Sequence, residues 1–463
     1  MRKTSAATIA LSFLSGACSL IPPLDPIKSP VSAKFPGNTG GEVSADIAWQ
    51  KFFTDPRLRK LVQTSLENNR DLRIATLNVE QSRARYSISR SDLFPSISGS
   101  GLAERRRGLG DSGPGSSSGG HTTESGSYEL SVGVVSYELD LFGKVRSMNS
   151  SALETYFATD AARVGAQISL VAEVANQYLT ERALLEQIAL SQQTYDGFNT
   201  AYDIMKKRFD SGTVSELELS SMEVQRQTAK VDLATFRQRS QEITNSLVFL
   251  AGGSLPNNLP AGRSLDQVLV APVRAGVSSD LLRRRPDIRE AEHQLRAANA
   301  DIGAARALLF PSVSLTATGG TASSSLSNLF ANGTGTWLFA PQVNIPIFTA
   351  GANKAYIESK EIGKLIEVAN YEKSIQTGFR EVADSLASRS GLAERISATE
   401  DLVSAQQKRT DLANARFEKG LDGYFEVLTA TLDLFNARQS LIRLRLAREI
   451  NSVNLYKALG GGW

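Results

Sequence analysis

Leu93-Phe94-Pro95-Ser96-Ile97-Ser98 and Leu309-Phe310-Pro311-Ser312-Val313-Ser314 are one phrase written twice, 216 positions apart. The phrases leading into them, Arg70-Asp71-Leu72-Arg73 and Pro286-Asp287-Ile288-Arg289, keep that offset. Further along, Arg208-Phe209-Asp210-Ser211-Gly212 recurs as Arg416-Phe417-Glu418-Lys419-Gly420 at an offset of 208, and Gly252-Gly253 recurs as Gly460-Gly461. Solenoid arrays repeat every 20 to 50 residues or so, so this longer period marks a duplicated domain. The offset falls to 206 between Leu141-Phe142 and Ile347-Phe348, which leaves ten extra residues in the first copy, read as a Gly/Ser loop over 108–126.

Within each copy the pattern changes period at the proline. Thr54-Asp55-Pro56 reads as a capped helix start. The helix from Asp71 ends before Pro95, because proline donates no hydrogen bond to the ladder. Beyond it apolar and small polar residues alternate, which predicts strands over about 94–104 and 127–142, and in the second copy over about 310–320 and 336–348. The apolar parity flips between Val134 and Tyr137, predicting a bulge near Val134-Val135. Strands of about ten residues suit a tilted crossing of a bilayer, which tolerates strands only in a closed barrel. Four strands cannot close alone, so membrane-embedded strands require oligomerisation; two soluble hairpins capping a coiled coil are the other reading.

The remaining segments are helical. Tyr195, Phe198, Tyr202, Met205 and Phe209 step by three and four, as do Phe425, Leu428, Leu432 and Phe435. Long helices are predicted over about 144–209, 215–250, 351–418 and 423–459. The first, free of proline, makes a rod of nearly 100 Å at about 1.5 Å per residue. The shorter helices 71–92 and 215–250, stacked end to end, would match its length. The domain reading is a signal peptide over 1–17, a tether over 18–54, a first repeat over 55–253, an equatorial linker over 254–283 and a second repeat over 284–463.

Composition removes several classes. A net charge of +3 gives no basic footprint for nucleic acid. Two histidines, His121 and His293, and one cysteine, Cys18, leave no material for metal clusters, disulfides or a histidine-based triad. Gly108-x-Gly110-x-x-Gly113 matches a dinucleotide fingerprint only formally, because it runs into Pro114-Gly115-Ser116 and not into a helix. No cofactor and no enzymatic activity are expected. Four methionines and two histidines give no support to a dedicated metal exporter. Arg2 and Lys3, the apolar run from Ala6 to Leu14 and Ser15-Gly16-Ala17-Cys18 read as an export signal ending at a lipidated Cys18, although Ser15 stands where such sites usually carry leucine.

Trp49-Gln50-Lys51-Phe52-Phe53-Thr54-Asp55-Pro56, Leu281-Leu282-Arg283-Arg284-Arg285-Pro286-Asp287, both Leu-Phe-Pro-Ser phrases and both Arg-Phe-x-x-Gly turns resemble the TolC-like outer-membrane factors of tripartite efflux pumps, in the NodT/OprM lipoprotein branch. The resemblance spans the mature chain. It implies a mainly α fold with β: a homotrimer with a twelve-stranded outer-membrane barrel, four strands per chain, continued by an α-helical periplasmic tunnel with an equatorial belt. It also implies a passive exit duct for an inner-membrane pump of the RND type, opened by a periplasmic adaptor. Arg208, Phe209, Gly212, Arg416, Phe417 and Gly420 then fall at the adaptor-docking tip, and Glu218 and Glu426 match acidic gate positions of relatives. Three copies around an axis would crowd these carboxylates and raise some of their pKa values. Asp422 stands where some relatives carry a gate arginine, and Ser221 and Thr429 replace a second acid, so the latch does not carry over whole. The competing function is a coiled-coil envelope lipoprotein without a pore, an adhesin or scaffold. Arg105, Arg106 and Arg107 either meet lipid phosphates at the outer mouth or are a solvated charge run.

Overall fold

The computed structural model describes residues 19–32, 35, 47–109, 122–267, 269–271 and 284–461. The signal segment 1–17, Cys18, most of the proposed loop and parts of the tether and linker lie outside them. In chain order the elements are α1 (Trp49–Phe52), α2 (Pro56–Asn68), α3 (Arg70–Ser91), β1 (Ile97–Leu109), β2 (Thr122–Leu139), α4 (Lys144–Asp210), α5 (Glu216–Leu250), α6 (Pro286–Ala307), β3 (Ser312–Ser323), β4 (Gly335–Asn344), α7 (Ala352–Glu418) and α8 (Tyr424–Ala458). None of the described helices is long and apolar enough to cross a membrane.

The chain divides into two compact units. The first, built from residues 80–158 and 291–370 with the N-terminal segment to 27, carries the sheet. Its four strands run β1-β2-β3-β4, antiparallel throughout, so the hairpins of the two repeats pair through β2 and β3. The register sorts the side chains by face. Ile97, Leu130, Val132 and Val134 share one face with Val313, Leu315, Trp337, Phe339 and Val343. Trp337 is 82% exposed in the single chain and Ile97 is 74% exposed. Ser98, Ser100, Ser131, Thr316, Thr318 and Gln342 occupy the opposite face, with Leu102 and Leu338 as its apolar exceptions.

Between Val134 and Tyr137 the β2–β3 register shifts, and Ser136 takes a positive φ of 59°. This is the bulge read from the parity flip; it returns Tyr137 and Leu139 to the apolar face. β1 continues to Leu109 and β2 starts at Thr122, so paired strand replaces the ends of the loop expected over 108–126. Paired backbone N–H and C=O groups hold this stretch whatever the side chains, so a run of Arg, Ser, Thr and Gly stays in register without an apolar face.

In the same unit, residues just after Cys18 lie along α6. The Asn299 amide donates to the Pro22 carbonyl at 2.8 Å. A Cβ at Gly303 would lie 2.6 Å from Ile21 Cγ1, so only glycine lets the strand of tether pass.

The second unit holds residues 28–79, 159–290 and 371–463. Its largest core gathers Phe52, Phe53, Leu58, Val174, Tyr178, Leu179, Leu265, Leu269 and Tyr456. Phe52 stacks on Tyr456 with centroids 3.9 Å apart, and Phe53 pairs with Val270 as an antiparallel bridge. Asp55 caps α2 through the N–H of Arg57 at 2.7 Å and, though buried, also accepts from the Tyr178 hydroxyl at 2.7 Å and the Arg263 N–H at 3.0 Å. These three donors around one carboxylate answer what its burial requires.

The end-to-end stacking read from helix lengths is present, once per repeat. α3 and α5 have 22 and 35 residues against the 67 of α4; α6, α8 and α7 repeat those numbers. At the first joint the Asn69 amide donates to the Leu250 carbonyl at the end of α5 at 2.9 Å. At the second, Arg285 donates to the Ala458 carbonyl at the end of α8 at 2.7 Å, and its other nitrogens reach Asp287 and Glu381, each at 2.8 Å. Asn69 and Arg285 are equivalent positions at the offset of 216.

Candidate channel tip

The two Arg-Phe-x-x-Gly turns close helical hairpins, α4 to α5 and α7 to α8. Gly212 and Gly420 have φ of 73° and 71°, the left-handed geometry that ends a helix and that glycine adopts without strain. The Gly212 N–H donates to the Phe209 carbonyl at 2.8 Å and that of Gly420 to the Phe417 carbonyl at 2.9 Å. Thr213 and Leu421, one residue on, return to the carbonyls of Arg208 and Arg416 at 2.9 and 3.0 Å. The arginine–phenylalanine pairs thus form the last helical turn whose orphan carbonyls the loop satisfies.

The side chains of the two turns differ. Arg208 lies over the ring of Phe417, 5.1 Å from its centroid, which brings the two hairpins together. Phe417 meets Tyr424 edge-on at 5.1 Å. Arg416 pairs with Asp422, Nη2 to Oδ1 at 3.0 Å, and this guanidinium holds the Asp422 carboxyl below the usual range. Phe209 remains half-exposed. Asp422, considered as a gate residue, is therefore committed within its own turn.

Glu218 and Glu426 are equally divergent. Ser215 and Glu218 form a reciprocal capping box at the start of α5: the Ser215 N–H donates to Glu218 Oε2 at 2.8 Å, and the Glu218 N–H donates to Ser215 Oγ at 3.3 Å. The Ser215 N–H, and then its hydroxyl, lower the Glu218 pKa. Within one chain the shift is opposite to that expected of crowded carboxylates. Gly423 stands where Ser215 would recur, and α8 begins without a side-chain cap. Glu426 instead accepts from Arg409 of α7 at 3.0 Å, and the same guanidinium reaches Asp433 at 2.7 Å. Arg409 and Asp433 were missed in the sequence. The usable signal was the seven-residue spacing of Glu426 and Asp433, which puts two acids on one helical face beside an antiparallel neighbour.

α5 also carries two apolar stripes. Met222 and Ala229 are buried against α4 and its neighbours. On the far side Leu217, Val224 and Val231, each seven residues apart, are 77%, 59% and 63% exposed. A helix with seams on both sides is built to have neighbours on both sides.

The model of the outer membrane efflux protein family matches residues 61–253 and 277–461. The chain belongs to this family. The efflux protein is 45% identical to the toluene efflux pump outer membrane protein TtgC of Pseudomonas putida, over 100% of this chain and 96% of that one. It is 38% identical to the cation efflux system protein CusC of Escherichia coli O157:H7, over 96% of each. Among solved structures, the open state of the Neisseria gonorrhoeae MtrE outer membrane channel superposes with a TM-score of 0.87 at 36% identity, covering 96% of this chain and 98% of that one. Crystal structures of CusC give a TM-score of 0.86 at 36% identity, over 96% and 100%.

The protein is an outer-membrane efflux channel and not an enzyme, with a TolC-like fold of strands joined to long helical hairpins. The pore-free adhesin or scaffold reading therefore falls. Among the described residues no group of three or more His, Cys, Asp or Glu is placed to hold a metal.

Proposed function

We propose that three copies of this chain close a twelve-stranded barrel and form the passive exit duct of a tripartite pump, docked at its tip by a periplasmic adaptor. The observation that carries this reading is the sheet: one face is apolar, and the outer edges of β1 and β4 have no partner strand among the described residues. A bilayer leaves no unpaired edge, so β1 of one copy must meet β4 of the next. The heptad stripe Leu217, Val224, Val231 supports the same assembly on the helical side.

In this reading Arg208, Phe209, Gly212, Arg416, Phe417 and Gly420 form the adaptor-docking tip. Glu426, held by Arg409, is the stronger gate candidate, and Glu218 is chiefly a cap. The homotrimer takes outer-membrane lipid around its barrel, a periplasmic adaptor at its tip and an inner-membrane pump beyond. Cys18 carries the lipid anchor.

Native mass spectrometry of the complex extracted in detergent tests the proposal. Three chains beginning at an acylated Cys18 are expected. A monomer without lipid, released from membranes by salt, would overturn both the barrel and the anchor.

A further inference from the structure

We propose that Arg105 and Arg107 of β1 form a binding site for the phosphate of a glycolipid in the outer leaflet. The inference rests on the trimeric barrel proposed above and concerns what its rim touches. Register decides the matter. Arg105 stands opposite Gly126 and Arg107 opposite Glu124, in the same parity as Ile97, Val132, Leu130 and Tyr128, hence on the apolar face. Arg106 stands opposite Ser125, on the polar face with Glu104 and Glu129. The run of three arginines is thus two residues facing lipid and one facing the lumen.

Height along the strand agrees. The apolar band runs from Leu139 and Val313, next to the helices, past Trp337, which is level with Val132, to Tyr128 at the far end. About ten residues at about 3.3 Å each, inclined by about 40°, cover roughly 25 Å, the height of the apolar band on a membrane barrel. Arg105 and Arg107 follow two and four residues beyond the level of Tyr128, about 5 and 10 Å further along the membrane normal, where headgroups begin. Gly126 beside Arg105 carries no side chain to cover it.

Arg105 donates to Glu124 at 2.9 Å yet stays largely exposed. Among the described residues of this face two guanidinium groups stand with one carboxylate, that of Glu124, and the planar donor fork of arginine matches phosphate oxygens two at a time. A lumen-facing arginine has no such access to lipid.

The test is native mass spectrometry of the purified trimer offered bisphosphorylated lipid A and, separately, the same lipid stripped of both phosphates. The unaltered protein is expected to retain the phosphorylated lipid at least fivefold better than the stripped one. Arg105→Ala with Arg107→Ala should abolish that preference, whereas Arg106→Ala should keep it. Equal retention of the two lipids by the unaltered trimer, an undiminished preference in the double variant, or an equal loss in Arg106→Ala would overturn the site. A single-chain mass for the unaltered protein would instead sink the barrel reading, a result distinct from any lipid result.

Discussion

The two repeats solve the same two mechanical problems with different chemistry. At the joint between stacked helices, the first repeat uses the neutral amide of Asn69 and the second the guanidinium of Arg285, tied to Asp287 and Glu381. At the tip, the first repeat closes α5 with its own Ser215–Glu218 box, whereas the second leaves α8 uncapped and holds Glu426 from the neighbouring helix through Arg409. The position equivalent to Arg409 in the first repeat is Ala201, which can hold nothing. One hairpin is therefore locked locally and the other by a partner that a movement of α7 against α8 would remove. Duplication supplied the scaffold, and divergence gave the two copies different fastenings.

Removing Arg285 should break the comparison at its strongest point. Arg285→Ala leaves a helix-end carbonyl and two carboxylates without their donor; at about 1.5–3 kcal/mol per charged hydrogen bond, partly offset because Asp287 and Glu381 are half in solvent, a loss of about 2–3 kcal/mol is expected. Asn69→Ala should cost about 1–2 kcal/mol, because the side chain both donates to Leu250 and caps α3 by accepting from the Leu72 N–H at 3.0 Å. Thermal unfolding of the two variants side by side checks the order; equal losses would make the joints equivalent after all. At the tip, Arg409→Ala is expected to raise the resting conductance in planar bilayers several-fold, and Ala201→Leu to leave it unchanged. A quiet channel in Arg409→Ala would remove Glu426 and its partner from the gate.

A transplant sharpens the same contrast. Gly423 has φ of −74° and open space where a Cβ would stand, so any side chain fits. Gly423→Ser writes Ser-x-x-Glu ahead of α8 and should draw Glu426 into a capping box. Amide exchange over residues 424–428 should slow about threefold, while 216–220 stays as it was; unchanged exchange would show that the missing cap does not limit this helix.

The smallest effect is on pH. Glu218 and Asp422 both have folded pKa values below their ordinary ones, through Ser215 and Arg416 respectively. Their contributions are present above the unfolded values of about 4 and are lost as pH falls through the folded values. Amide exchange at both turns, corrected for intrinsic rates, should be flat from pH 8 to 5 and accelerate only below about pH 4. An acceleration near pH 6 would point to titrating groups other than these.

Much of this architecture was legible. Helix ends fell within a residue or two because prolines, glycines and capping side chains are local signals, and the bulge was readable because one residue of slip inverts every side chain after it. The outer parts of β1 and β2 were not, because beyond the bilayer both faces are polar and the period of two disappears. The Ser215–Glu218 box was present in the sequence, but Glu218 was read by analogy with gate acids and its local partner was passed over. Arg285 to Ala458, and Arg409 to Asp433, join residues 173 and 24 positions apart, respectively; the seven-residue spacing of Glu426 and Asp433 marks an acidic face, but no local pattern names the arginine that meets it.

The passage of Ile21 across Gly303 also works as a ruler. Ile21 is the third residue after Cys18, and a chain extends by at most about 3.6 Å per residue, so the backbone of a Cys18 lipidated as proposed is leashed within roughly 11 Å of Ile21, which is held at Gly303 of α6. A lipid at Cys18 would then have little travel independent of the unit that carries the sheet.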